Sequence, residues 1–397
     1  MLEILAFALI GMLLGIFTGL TPGIHVNTVV ILIISSLPIL LEHFSAYDVA
    51  ALIISMSVMH TFVDFIPSIL IGAPNEDSVL SVLPGHRLLL QGRAYEAIQL
   101  TVIGGVGATV VSVATLPVWI KILPSLYSST REVLPYLLTC ALIYTVYSER
   151  KRIPALLVIA YSGILGVIVL NSNILPLKYA LFPTLTGLFG MSTLLTSMAM
   201  QPKIPKQEIQ QSEGHYPGGI LIGSLGGMLT GLLPSIGSSQ SAFIIQNAFK
   251  NRNEKSFLVA LGGVNTSDAI YALFALYLIG NPRSGASIAV EHIMREFTPL
   301  DCLLMISIVL LTAFFATFAT LALARIFVRK IQEIDYGKFS RATLLFLAVL
   351  IFALTGAEGL LVAVTATSIG LMAHQFGTRK SDCMAVLIVP TILYFLH

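Results

Sequence analysis

The sequence predicts an all-α polytopic membrane protein with two inverted-topology repeats, each opening on a broken or re-entrant helical hairpin. Three observations predict it. The first is composition. The 397 residues are 56% hydrophobic and 11% charged, with a mean hydropathy of +0.89. A soluble domain carries roughly 25% charged residues, so lipid must solvate most of this surface. The second is a glycine and proline pattern that occurs twice. The third is a one-sided distribution of Lys and Arg.

Apolar runs bounded by charges and by Pro/Gly clusters mark the expected spans. They cover 4–20, 26–41, 48–71, 95–120, 132–148, 153–170, 179–199, 217–233, 236–249, 256–279, 299–324, 342–356, 360–375 and 383–396. The chain begins Met1-Leu2-Glu3, with no basic residue before the first run and no small-residue cleavage pattern after it. The first run is therefore expected to be a retained membrane helix. The longest polar stretch, 201–216, reads as a flexible connector between a first repeat, 1–200, and a second, 217–397.

The repeat is legible in the glycines. Setting Pro22 on Pro234 also aligns Gly11, Gly15 and Gly19 with Gly223, Gly227 and Gly231. Downstream, Ile71-Gly72-Ala73-Pro74 matches Ile279-Gly280-Asn281-Pro282. Glycines four apart let membrane helices pack closely and imply nothing more. The same helix-plus-break order occurring twice is the mark of a duplicated transporter fold.

The basic residues test whether the copies are inverted. The runs 4–20 and 26–41 are taken as one hairpin, 217–233 and 236–249 as another, and every other run as one crossing. Loops 72–94, 149–152, 201–216, 250–255, 325–341 and 376–382 then hold 17 of the 22 Lys and Arg. Loops 42–47, 121–131, 171–178 and 280–298 hold five. The rich set is expected to be cytoplasmic, in a multi-pass protein of the cell membrane. The two hairpins then open to opposite sides.

A net charge of +2 points to no polyanionic partner, and nucleic acid is not expected. Cys140, Cys302 and Cys383 sit in or beside apolar runs, as small core residues do. No HExxH, Gly-x-Ser-x-Gly, Walker or CxxC pattern occurs, so neither an enzyme nor a bound metal is expected.

The candidate site residues follow from the breaks. Proline and glycine at Thr21-Pro22-Gly23 interrupt a helix and free backbone N–H and C=O groups. Pro234-Ser235-Ile236-Gly237 repeats the arrangement. Two facing helix N-termini would hold an anion with N–H groups and hydroxyls. The expected substrate-binding residues are Gly23, His25, Asn27, Thr28, Ser235, Gly237, Ser238 and Ser239. Titratable groups inside spans are rare and usually functional. His60 and Asp64 share a helix face, and Asp268 lies beside Asn265 and Thr266. These five are the expected ion-coupling groups, for Na⁺ or H⁺. Pro74, Asn75, Glu76 and Asp77, with Pro282, Arg283 and Ser284, form the loops that the repeat would bring beside the hairpin tips.

These motifs resemble a known family. Gly15-Ile-Phe-Thr-Gly19-Leu-Thr-Pro22-Gly23 is similar to the opening of the large membrane subunit of tripartite tricarboxylate transporters, the TctA family. So are Leu70-Ile-Gly-Ala-Pro74, Leu83-Pro84-Gly85-His86-Arg87 and Gly92-Arg93-Ala94-Tyr95-Glu96-Ala97. Ile279-Gly280-Asn281-Pro282-Arg283-Ser284-Gly285 looks like the family's second-half turn. The chain departs from the pattern at Asn75-Glu76-Asp77, where small residues are usual, and two carboxylates beside an anion site repel the anion unless cations neutralise them. The resemblance implies a compact permease for secondary active uptake of a small organic anion such as a di- or tricarboxylate. It also implies a small membrane subunit and an extracytoplasmic binding protein. Membrane lipid and a second copy of the chain complete the expected partners. A rival reading comes from Pro22-Gly23-x-His25-x-Asn27-Thr28, which also resembles the Pro-Gly loop of polyprenyl-phosphate translocases. On that reading the ligand is a lipid phosphate.

Overall fold

A computed structural model of the chain describes residues 2–21, 26–70, 82–149, 151–172, 174–200, 205–232, 238, 241, 253–280, 282, 284–294, 296–331, 336–378 and 380–396. Among these residues the regular structure is helical, with no strand. The first half carries α1 (Leu2–Leu20), α2 (Val26–Ser35), α3 (Leu37–His43), α4 (Ala46–Val63), α5 (Phe65–Leu70), α6 (Val82–Leu90) and α7 (Ala94–Ser148). It continues through α8 (Arg152–Asn171), α9 (Leu177–Leu185), a π-helical turn (Thr186–Met191) and α10 (Ser192–Met200). The second half carries α11 (Pro217–Leu232), α12 (Glu254–Ile279), α13 (Gly285–Ile293), α14 (Pro299–Lys330), α15 (Tyr336–Phe376) and α16 (Ala385–Leu396). Seven helical stretches among the described residues are long and apolar enough to cross a bilayer. The chain is a multi-pass membrane protein, as its composition requires.

Proline sets two of the interruptions. Pro38 cannot donate to the Ile34 carbonyl, and the run 26–41 divides at Ser36 into α2 and α3. Pro67 likewise cannot donate to the Val63 carbonyl, and α4 stops at Asp64 before α5 resumes. Ser68 repairs part of that break, its backbone N–H and its hydroxyl both donating to the Asp64 carbonyl at 3.3 and 2.7 Å. The Phe7 and Phe44 rings stand 4.7 Å apart, so the start of α1 meets the end of α3 as the two arms of a hairpin do.

Three sequence expectations are corrected. The loop expected at 121–131 is helical, and α7 runs through it. Lys121 and Arg131 marked water there, and a helix tolerates water because its backbone bonds are internal. The gap expected at 357–359 is a single bend at Gly356, whose φ of 68° and ψ of −160° only glycine adopts readily. The connector is pinned where it is described. Glu208 N–H donates to the Gly92 carbonyl at 2.8 Å, and Ser212 N–H to Gln99 Oε1 at 2.7 Å. Gln207 both accepts from Ala94 N–H at 3.1 Å and donates to the Leu89 carbonyl at 2.9 Å. These bonds satisfy free backbone groups at the turn into α7.

Two packing regions result. The larger core joins α1, α4, α5, α6 and the first part of α7 with α12, α13 and α14. A smaller region joins Leu138 near the far end of α7 with α8, α9, the π-turn, α15 and α16. Each region draws on residues before 201 and after 216. In the larger one the helix ends meet in a fixed way. The Tyr47 hydroxyl bonds Asp301, so α4 and α14 begin together. Glu96 pairs with Lys255 at 2.7 Å, so α7 and α12 begin together. Arg325, near the end of α14, donates from Nε to the Tyr95 hydroxyl at 3.1 Å, near the start of α7.

Candidate functional site

Two glycine ladders build the site. On α1, a Cβ added at Gly11 would meet Ser55 and the Leu52 carbonyl, at Gly15 it would meet Met56 and Met59, and at Gly19 Val63. On α11, a Cβ at Gly223 would meet Gly263, at Gly227 Ser267 and Asp268, and at Gly231 Tyr271. Absent side chains bring the backbones of α1 and α4, and of α11 and α12, into direct contact. Ser55, Met59 and Val63 stand where Gly263, Ser267 and Tyr271 stand, an offset of 208 at each step. By that register His60 matches Asp268, and Asp64 matches Ala272. The two aspartates are therefore not counterparts. The matched titratable pair is a histidine and an aspartate.

The helices that carry the expected polar clusters meet at Thr61, beside His60. His60 is buried at the middle of the α4–α5 run, with Nδ1 3.0 Å from the Thr18 hydroxyl of α1. Thr18 donates in turn to the Gly15 carbonyl at 3.2 Å. Beside it, the Thr61 and Thr266 hydroxyls are 3.4 Å apart, one from each half. The Asn265 amide donates across the same boundary to the Thr61 carbonyl at 3.2 Å. Ser238, buried, reaches to 3.5 Å from the Asn265 Oδ1. Asn265 thus links α4, α12 and the residue after the second Pro/Gly break. Asp64 is buried one helical turn from His60, its backbone N–H donating to the His60 carbonyl at 2.9 Å. Asp268 is half-buried and faces the α11 ladder through its backbone. Buried polar groups in hydrocarbon must be satisfied internally, and Thr18 with His60, and Thr61 with Asn265 and Thr266, meet that demand across helices.

The other expected residues divide plainly. Gly23, His25, Ser235, Gly237, Ser239, Pro74, Asn75, Glu76, Asp77 and Arg283 lie outside the described residues. Asn27 and Thr28 fall in the first turn of α2 by their backbone. Pro282 is half-buried. Ser284 is the N-cap of α13, accepting from Ser287 N–H at 3.1 Å, so its hydroxyl serves the helix end. Among the described residues expected at the substrate site, Ser238 joins the buried network, and it does so through an expected ion-coupling residue. Thr18 and Thr61 were missed. The signal for Thr18 was its place within the first glycine ladder, and for Thr61 its position next to His60.

A second polar chain runs beside the α11–α12 ladder. Ser112, Ser224 and Tyr271 link by hydroxyls at 2.9 and 3.1 Å, and the Trp119 ring stands edge-on to Tyr271. No counterpart in the α1–α4 pair is seen among the described residues. At the shared start of α7 and α12, buried Glu96 takes Arg93 at 2.5 Å as well as Lys255, while Arg87 pairs with Glu254. These pairs close one end of the region. No group of three His, Cys, Asp or Glu that could hold a metal ion occurs among the described residues.

The comparisons with known proteins agree over nearly the whole chain. The model of the family described as Tripartite tricarboxylate transporter TctA family matches residues 5–385. The uncharacterized protein MJ1079 of Methanocaldococcus jannaschii is 29% identical over 404 residues, covering 99% of each chain. No solved structure matches.

Proposed function

The chain belongs to the tripartite tricarboxylate transporter TctA family, and from that membership we propose a permease that moves a small organic anion, such as a di- or tricarboxylate, by secondary active transport. The observation that carries the reading is the buried junction of Thr61 with Asn265 and Thr266. Apolar spans that only needed to pack would not place polar groups at mid-helix. Carbonyl, amide and hydroxyl oxygens beside His60, Asp64 and Asp268 suit a coupling ion, Na⁺ or H⁺, which compensates the charge of the anion. The substrate lies, on this reading, between the tips at 21–28 and 234–240, and Asn265 connects the second tip to the ion groups.

Alternating access follows if the repeats are inverted. The meeting of helix ends supports that relation. α4 begins beside α14, α7 begins beside α12, and α14 ends where α7 begins. Matched α4 and α12 then start at opposite faces, consistent with the loops richest in Lys and Arg being cytoplasmic. A small membrane subunit and an extracytoplasmic binding protein are the proposed partners.

The test is uptake of labelled citrate and succinate into proteoliposomes under imposed Na⁺ and pH gradients, with and without the partner subunits. Accumulation that collapses with one gradient supports the reading. Transfer of a labelled polyprenyl phosphate across the bilayer, with no carboxylate uptake, would replace it with the lipid-carrier alternative.

A further inference from the structure

One face of α14 is exposed from end to end. Leu300, Leu303, Ser307, Leu310, Phe314, Phe318, Ala322, Arg325 and Arg329 follow one another at three- and four-residue steps, and none is covered by another helix. From Leu303 to Arg325 this stripe spans ~33 Å at 1.5 Å per residue, close to the ~30 Å hydrocarbon thickness of a bilayer. Apart from Ser307, whose hydroxyl donates to the Leu303 carbonyl, apolar side chains therefore occupy one membrane thickness, and the cations begin where the headgroups begin. Phe314 and Phe318, with ring centroids 5.1 Å apart, ridge the middle of the stripe.

The cations at its end differ from the others in this region. Arg93 and Lys255 share Glu96, and Arg87 holds Glu254. Among the described residues Arg329 and Lys330 meet no carboxylate, and Arg325 meets only Tyr95. Glu333 and Asp335, the acids next in sequence, lie outside the described residues. The Arg325 contact is itself informative. Its Nε donates to the buried Tyr95 hydroxyl at 3.1 Å, and its guanidinium carbon stands 5.6 Å from the Tyr95 ring centre. One edge of the guanidinium is held and the Nη pair remains for an outside acceptor. A fork fixed in this way suits two oxygens of a phosphate.

We propose that the end of α14 binds an anionic phospholipid of the adjacent leaflet, its acyl chains along the part of the stripe from Phe314 to Ala322, about one leaflet deep, and its headgroup phosphate on Arg325, Arg329 and Lys330. Charges that only set topology need no fixed geometry and no adjoining chain groove. Here the cations, the held fork and the apolar stripe lie on one helix face, and a membrane lipid offers both an anion and an acyl chain one leaflet deep beside it. The proposal is independent of the transported substrate, since the stripe is the exposed face of α14 while Asn265 and Thr266 are buried.

The test uses the full chain in nanodiscs of phosphatidylcholine with or without 30 mol% phosphatidylglycerol, released into the mass spectrometer to count retained lipid. Wild type is expected to retain phosphatidylglycerol well above its share of the bilayer. Each cation near a charged headgroup contributes about fivefold, so Arg329→Gln with Lys330→Gln should cut the preference by about 25-fold. Tyr95→Phe keeps every charge and the ring contact and should still lower it by a few-fold, because Arg325 then loses its hydrogen bond. It also guards against a misinserted double variant. Lys121→Gln is expected to keep the wild-type preference. Equal retention of the two lipids by wild type would overturn the proposal. So would a preference unchanged in both the Tyr95 and the double variant, displacement of the bound lipid by millimolar inorganic phosphate, or a dimer that covers the stripe.

Discussion

The α1–α4 pair and the α11–α12 pair use the same device for different chemistry. In both, three glycines four residues apart let a second helix lie directly on the backbone, with residues in register at an offset of 208. At the centre of that shared frame one pair carries His60, bonded to Thr18 of its own first helix. The other carries Asp268, flanked by Asn265 and Thr266, which reach into the opposite half. Packing was kept and chemistry was not. The glycine ladder is thus a structural feature, and the functional reading rests on what differs between the copies.

The largest expected effects come from the shared frame. Gly15→Leu and Gly227→Leu each drive a side chain into backbone or Ser267, and overpacking of this kind costs about 1–3 kcal/mol or more. Both should remove folded protein from detergent extracts, measured by size-exclusion yield and thermal melting. A loss at one ladder alone would break the equivalence of the pairs.

Next is the junction that Asn265 of the second pair makes with Thr61 of the first. Asn265→Leu leaves the Thr61 carbonyl without its amide donor, a loss of about 1–3 kcal/mol for a buried group. Uptake in proteoliposomes should fall at least tenfold while folded protein remains. Ser57, the register counterpart of Asn265, is half-buried, and Ser57→Ala should stay within about 0.5 kcal/mol of wild type. Equal damage at both positions would remove the asymmetry on which the site rests.

The matched titratable pair supplies a third contrast. Asp268→Asn is expected to stop accumulation driven by an ion gradient while substrate exchange persists. His60→Gln is expected to flatten the pH profile of uptake more than its Na⁺ dependence. If Asp64→Asn and Asp268→Asn both accumulate substrate with unchanged pH and Na⁺ dependence, neither carboxylate couples an ion.

The smallest effect belongs to Thr18. Thr18→Val removes one hydrogen bond to His60, worth about 1 kcal/mol, and should shift the pH profile modestly. Thr18→Ser should restore it. A melting temperature lowered equally by both variants would make Thr18 a packing residue only.

Much of this was legible in the chain. Helical class, membrane solvent and glycine ladders follow from composition and four-residue spacing, because lipid forces backbone bonds inside each helix and close packing demands small residues. His60, Asp64, Asn265, Thr266 and Asp268 were found as polar residues in apolar runs, a signal that needs no partner to be read. Their partners needed the third dimension. Thr18 and Thr61 look ordinary, since a hydroxyl satisfies itself on its own helix in most places. Local composition likewise could not tell that 121–131 stays helical, because a polar stretch reads alike as loop or as wetted helix. That His60 rather than Asp64 matches Asp268 already follows from setting Ile71-Gly72-Ala73-Pro74 on Ile279-Gly280-Asn281-Pro282, the offset of 208 that the glycine contacts repeat. Which residues of one half touch the other was decided by the packing of α4 and α7 on α12. Contact is a property of two surfaces, and neither sequence carries it alone.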